Sequence, residues 1–326
     1  MKKKILFLTM LLCIFVTGCF GGDKNDIVKK VEKKYSNLKS YKLTGDLQIV
    51  NNDDVYNYDV KVTYQKKDKF NVSLVNKANN HEQIILKNDD GVYVLTPSLN
   101  KSFKFQSDWP YNNSQVYLLQ TLLKDINNGE YTYKETNEGY TFTTNVTYSN
   151  DKNLVKQDIN FGKNYLIKSV YVYDKNESIK MKMVFNNVDM NKNYDTNYFT
   201  LEENMKDAKK DNEVASLKDV VYPMYVPSDT YLTNKETIDT NNGKRIILTF
   251  TGSKPFTFVQ ENVTLTDVTL LIDGEFVLLN DVLGNVTANE VSWISNGVEY
   301  YITSDVLSQN EMIEIAKSVG LLAVSK

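Results

Sequence analysis

The sequence predicts an α+β protein: a curved antiparallel β half-barrel wrapped around helices, followed by a smaller α+β carboxy-terminal domain. Three observations carry this. Apolar and polar residues alternate over long stretches, 22 Tyr and 14 Phe favour sheet, and helical spacing interrupts the alternation only in short segments. A length of 326 residues, 41% of them hydrophobic and 24% charged, suits two domains rather than one. Five Pro and 14 Gly exclude collagen-like and low-complexity classes.

The chain opens with a basic stretch, Lys2 to Lys4, and an apolar run from Ile5 to Phe15. That is an export signal, too short for the roughly 20 apolar residues of a membrane-spanning helix. Its end, Val16-Thr17-Gly18-Cys19, resembles a bacterial lipobox. The resemblance makes 1–18 a lipoprotein signal peptide and implies that Cys19 carries diacylglycerol as the first residue of the mature chain. Residues 19–25 are then a lipidated tether, with Phe20-Gly21-Gly22 as its flexible part. An ordinary signal peptide with an incidental Cys19 is the alternative. Cys13 falls in the discarded segment, so the mature chain has no partner cysteine for a disulfide. Two acyl chains anchor stably, which places the protein on the extracytoplasmic face of the cell membrane; Phe20-Gly21 leaves an outer-membrane address open.

The first domain is expected over 26–202. Asp26 is placed to cap a helix whose Ile27, Val28, Val31, Tyr35 and Leu38 share one face. From Tyr41 the period becomes two. Tyr56, Tyr58, Val60, Val62 and Tyr64 alternate with polar residues, as do Tyr140, Phe142, Thr144, Val146 and Tyr148, and then Ile179, Met181, Met183 and Phe185. Asp90-Gly91, Asn128-Gly129 and Glu138-Gly139 are turn signals between such runs. Ser114 is placed to cap a second helix through Val116, Leu118, Leu119, Leu122, Leu123 and Ile126. Residues 203–216 are polar and charged without alternation, the composition of a linker. A second unit, 217–326, begins with Tyr222-Pro223 and has strands with turns at Asn242-Gly243, Asp273-Gly274 and Asn296-Gly297. It ends in a helix with a capping box from Ser308 to Glu311.

The amino-terminal helix, the strand at Lys69-Phe70, the hairpin from Asp89 to Phe105, the central helix and the meander from Ile159 to Leu201 resemble the LolA/LolB lipoprotein-carrier superfamily. The stretch from Ser107 to Ile126 is similar to its membrane-anchored relatives, the YdcC-type sporulation and GerS-type germination lipoproteins of spore-forming Gram-positive bacteria. Trp293, Gly297, Tyr300, Ser308, Glu311 and Ala316 resemble a small domain that follows such folds, and the two-domain layout is similar to the RseB/MucB regulators. The resemblance implies an incomplete barrel whose apolar cavity holds acyl chains in the carriers. It implies an anchored protein that binds an amphiphile or an envelope partner protein, in sporulation or germination. The alternative is an RseB-like regulator relaying envelope state to an anti-sigma factor or a cell-wall hydrolase.

Candidate cavity-lining residues are Tyr58, Val60, Val62, Tyr140, Phe142, Met181 and Met183, whose flexible methionines suit acyl chains. Direct packing on the helices, with no cavity, is the competing arrangement. Trp109 is a candidate partner anchor or a core plug. Catalytic signals are sparse. His81 is the only histidine and is expected as a solvated loop residue, with no Gly-x-Ser-x-Gly elbow beside it. Asp189, Asn191, Asn193, Asp195 and Asn197 fall at calcium-loop spacing, but Tyr194 stands where glycine is needed and Thr200 where glutamate is needed. Asp53-Asp54 and Asp89-Asp90 are expected turns. No enzyme activity, cofactor or metal is expected. Arg245 is the only arginine and the formal charge is −3, which argues against nucleic acid as a partner.

Overall fold

The computed structural model describes residues 24–51, 54–106, 109, 115–128, 130–148, 151–206, 217, 219–264 and 269–319. The signal peptide, Cys19 and the tether up to residue 23 lie outside them. Helix α1, Lys24–Tyr35, precedes strands β1 (Ser40–Asn51), β2 (Asp54–Gln65), β3 (Lys69–Asn76), β4 (Glu82–Asn88), β5 (Gly91–Thr96) and β6 (Lys101–Phe105). Helix α2, Leu119–Asn127, leads into β7 (Tyr131–Glu135), β8 (Gly139–Asn145), β9 (Leu154–Gly162), β10 (Ile167–Asp174) and β11 (Ile179–Met190). After a short α3, Leu201–Met205, come β12 (Thr230–Thr240), β13 (Gly243–Gly252), β14 (Phe256–Asn262), β15 (Leu270–Ile272), β16 (Glu275–Leu278), β17 (Leu283–Val286), β18 (Glu290–Ser295) and β19 (Val298–Thr303). Helix α4, Gln309–Lys317, follows.

Among the described residues the strands form two sheets. The first has the order β15-β6-β5-β4-β3-β2-β1-β11-β10-β9-β8-β7, and the second β12-β13-β14-β19-β18-β17-β16. Every pairing is antiparallel except β15 with β6. Twelve flat strands would span about 50 Å. Yet Phe105 on β6 and Tyr140 and Phe142 on β8 belong to one continuous core that also takes in α1 and α2. The sheet therefore curves around its helices, and the fold is the α+β half-barrel with a smaller carboxy-terminal sheet domain that the alternation predicted.

Local sequence explains the curvature. Register slips between Thr44 and Gly45, where a Cβ on Gly45 would come 2.1 Å from the Val184 carbonyl oxygen. A bulge there bends the long β1–β11 ladder. Helix α1 buries Ile27, Val31 and Tyr35 as its spacing predicted, but Asp26 sits within its first turn rather than capping it. The Tyr35 hydroxyl donates to the Tyr165 carbonyl at 3.1 Å and accepts from the Ile167 amide at 2.9 Å, tying the helix to β10. Helix α2 starts at Leu119, later than expected, and Ser114 lies outside the described residues. Thr121, inside the first turn, accepts from the Gln115 amide and donates to the Leu118 carbonyl.

The convex face is covered as well. Tyr194, Tyr198, Phe199 and Leu201 pack over Ile84, Leu86, Tyr93 and Leu95, and Asn71 donates to Asn204 at 2.5 Å. Residues of the rejected calcium loop thus serve as outer cladding for β3–β5. Glu203–Met205, expected at the start of the linker, belong to α3, and 207–216 lie outside the described residues.

The second sheet packs one face on α4. Phe258, Trp293 and Tyr300 stack pairwise at 5.0–6.2 Å, and the helix opens with the expected capping box between Ser308 and Glu311. Buried Gln260 bonds both the amide and the carbonyl of Val221 at 2.8 Å, and Pro223 bridges to Val319, strapping residues 219–226 across the domain.

The carboxy-terminal unit also reaches into the first. At Asp273-Gly274 the chain leaves β15, an edge strand of the half-barrel, and enters β16 of the second sheet. Gly274 has φ +101°, and a Cβ there would come 2.3 Å from the Val286 carbonyl oxygen. Only glycine takes that conformation at no steric cost.

Candidate functional site

The seven side chains read as cavity lining do come together. Alternation on β2 aims Tyr58, Val60 and Val62 at the concave face, and β8 and β11 add Tyr140, Phe142, Met181 and Met183 from the other side. All but Met181 are buried. Phe142 meets Phe161 at 5.9 Å and Tyr131 at 5.5 Å, and Tyr140 stacks on Tyr165 at 5.5 Å with rings 7° from parallel. Beside Met181 lie a crevice of about 90 Å³, bounded by Leu47, Tyr117, Leu154, Phe276 and Leu283, and an opening of about 400 Å³ with polar walls that include Asn51, Asp174, Lys180 and Lys317. Ligand pockets for small molecules usually enclose roughly 300–1,000 Å³.

What fills the mouth of the half-barrel is the loop between β16 and β17 with its flanking strands. Phe276 meets Phe105 edge-on at 5.8 Å and Trp109 at 6.4 Å. The Tyr58 hydroxyl donates to the Asn280 carbonyl at 2.6 Å, Asn51 donates to the Asn280 side chain at 2.7 Å, and Gln83 accepts from the Leu283 amide at 2.5 Å. Burial pushes the Tyr58 hydroxyl pKa up, and the Asp281 carboxylate pushes it further. Sequence reasoning missed Gln83, Phe276, Asn280 and Leu283. The only signal was Asp273-Gly274, which reads as an ordinary turn between neighbours.

Trp109 is 4% exposed and stacked on Phe70 at 4.7 Å, with Lys87 5.8 Å from its ring, the position of a core plug. His81 is half-buried rather than solvated. Its Nδ1 stands 3.4 Å from Ser98 Oγ, long for a hydrogen bond, and its Nε2 is buried without a partner. Burial lowers its pKa while Asp281 opposes that, and burial in turn raises the Asp281 carboxyl. Asp281 acts on His81 through space and the Ser98 contact is long, so the three side chains lack the aligned contacts of a Ser-His-Asp relay. Among the described residues no group of three or more His, Cys, Asp or Glu side chains is placed to hold a metal, and no helix is long and apolar enough to cross a membrane.

The openings of greatest volume among the described residues lie elsewhere. One of about 490 Å³ lies between α1 and α2, walled by Tyr35, Leu38, Tyr41, Tyr64 and Leu123. Another of about 440 Å³ lies between the half-barrel's β5–β6 edge and the second sheet.

The fold is thus a curved sheet closed over helices, with its mouth stoppered by a second sheet and openings on the outside. No family model matches the chain. It is 35% identical to the sporulation protein YdcC of Bacillus subtilis, over 98% of this chain and 97% of that protein. The chain belongs to the YdcC family of sporulation proteins. Among solved structures it is similar to the Pseudomonas aeruginosa MucA/MucB complex, at 11% identity and a TM-score of 0.32, covering 91% of this chain and 98% of that one. A LolA superfamily protein from Nitrosomonas europaea aligns at 11% identity and a TM-score of 0.31, over 56% of this chain and 100% of that one.

Proposed function

We propose that this protein is a lipoprotein held on the extracytoplasmic face of the cell membrane by diacylglycerol on Cys19, working in sporulation by binding an envelope partner protein. The observation that carries the reading is 35% identity to a sporulation protein over 98% of this chain. The lipobox at Val16 to Cys19 supports the anchor. The packing of the half-barrel favours a partner over an acyl chain, because Tyr58, Phe142 and Met183 are buried among protein side chains, the crevice beside Met181 is about 90 Å³, and the larger opening at Met181, about 400 Å³, is lined by Asn51, Asp151, Asp174, Lys180 and Lys317. The interior is a scaffold and the outer openings are the working surface.

The test begins with metabolic labelling by radioactive palmitate in a spore-forming host. Wild type is expected to carry label in the membrane fraction, and Cys19→Ala to lose both label and membrane association. A wild-type chain without label would overturn the anchor. Photo-crosslinking from the two outer openings during sporulation, followed by mass spectrometry, tests the partner; a retained acyl chain with no crosslinked protein would overturn the partner in favour of the amphiphile.

A further inference from the structure

The cleft of about 440 Å³ has two chemically different walls. One comes from the first sheet and is apolar, with Val94, Phe103 and Phe105 beside Leu270 of β15, which register places on the same face. The other is the face of the second sheet turned away from α4. Register puts Glu290, Ser292 and Ile294 of β18 opposite Thr303, Tyr301 and Glu299 of β19, so these side chains share that face. Glu261 lies opposite Glu299 on the adjoining strand and is engaged by Arg245 at 2.6 Å, which leaves Glu290 and Glu299 as surplus negative charge. No lysine or arginine is among the described residues lining the cleft.

Independent signs point to a polar ligand at this face. Asn285, opposite Ser292 and therefore on the cleft face, is only 9% exposed, and its Oδ1 has no hydrogen-bond partner. A buried acceptor left unpaired is costly, and an incoming N–H donor would remove that cost. Burial raises the Glu290 carboxyl, with a Ser292 hydrogen bond opposing, and burial followed by the nearby glutamates raises the Tyr301 hydroxyl, as in a site short of positive charge. At the rim, Leu270 is 37% exposed, and among the described residues no strand pairs with the outer edge of β15.

We propose that this cleft receives an extended peptide segment of the partner protein, with a lysine or arginine set against Glu290 and Glu299 and the residues on either side of it set against Phe103, Phe105 and Leu270. Side chains of an extended chain alternate between two opposite faces, so a strand with apolar residues on one face and a basic residue on the other matches an apolar wall facing an acidic one. The free edge of β15 offers backbone pairing to the same segment. This rests on the partner-binding reading above and names the chemistry of the partner.

The test is selection of a phage-displayed random heptapeptide library on the full-length protein in mild detergent, followed by fluorescence anisotropy of the enriched peptides. The expected result is enrichment of sequences with a lysine or arginine between apolar residues. Affinity should fall about tenfold or more in the E290Q/E299Q double variant, the scale of a lost charge-assisted contact. Leu270→Lys, a change at an exposed side chain, should weaken the same peptides. Circular dichroism melts confirm that the variants fold. Enriched peptides without a basic residue, affinities unchanged in both variants, no enrichment at all, or displacement by dodecylamine at lower concentration than by peptide would each overturn the proposal. If sporulation crosslinks to a partner persist unchanged in E290Q/E299Q, the cleft assignment fails while the partner-binding reading stands.

Discussion

The two sheets solve the same problem of covering an apolar face in opposite ways. The first takes cover from every side: helices α1 and α2 within, residues 194–205 on the convex face, and Phe276 and Leu283 at the mouth. The second packs one face on α4 and leaves the other lined with glutamates toward a cleft. The difference separates two kinds of surface. A sheet satisfied on both faces has its polar groups paired and holds shape, whereas a sheet satisfied on one face keeps groups free to meet something else.

Substitutions can break this contrast, beginning with the largest effect. Phe142→Ala removes the ring that joins β8 to β9 in the first core and should cost about 3–5 kcal/mol, read as a lowered midpoint in urea unfolding. Phe276→Ala is the sharper test, because the residue belongs to the second sheet and packs in the first core. It should cost about 2 kcal/mol and lower the unfolding midpoint of both sheets together. Loss of stability in the second sheet alone would show that the stopper contributes little to the half-barrel. Tyr58→Phe leaves the Asn280 carbonyl without its donor and should cost about 1–2 kcal/mol by the same measurement, with the secondary structure unchanged by circular dichroism.

The smallest effect concerns α4. Lys254 first, then the Ser308 amide and hydroxyl, hold the Glu311 carboxyl down to about 2. A carboxyl depressed in the folded state contributes stability above its unfolded value, near 4.5, and loses that contribution as pH falls toward about 2. Glu311→Gln should therefore lower stability by about 1 kcal/mol at neutral pH and flatten the acid limb between those values, measured as midpoint against pH. His81 runs with the same sign at higher pH. Its lowered pKa means that stability falls as pH drops below about 6.5, and His81→Asn should remove that slope.

Much of the architecture could be read from local pattern. Alternation at Tyr58, Val60 and Val62 gave the right face of β2, and the spacing of Ile27, Val31 and Tyr35 gave the buried stripe of α1, because burial on one face writes a period into the sequence. Turns were legible where glycine marks them, as at Asp90-Gly91 and Asn242-Gly243. The β2–β3 turn was not, because Lys67 and Asp68 take positive φ without glycine. The site was least legible. Gln83 and Leu283 meet across 200 residues, and no short-range signal records that meeting. Asp273-Gly274 has the composition of a hairpin turn and instead carries the chain between sheets, a choice made by the partners of Leu270–Ile272 and Glu275–Leu278 rather than by the turn itself.

The parallel pairing of β15 with β6 also sets an order of events in time. Ser102 and Thr269 bond each other at 2.8 Å across 167 positions of chain, so the half-barrel's last strand is supplied long after the others have been made. Contacts of such separation form late and slowly, because a large loop must close before they are rewarded. Until then β6 presents a bare edge, the kind on which stray strands add. A chain emerging from its amino terminus would hold that vulnerability through most of its synthesis, and completion of the second sheet would end it. The short strand at Leu270–Ile272 thus works as a latch on folding, signalling in one contact that both halves of the molecule have arrived.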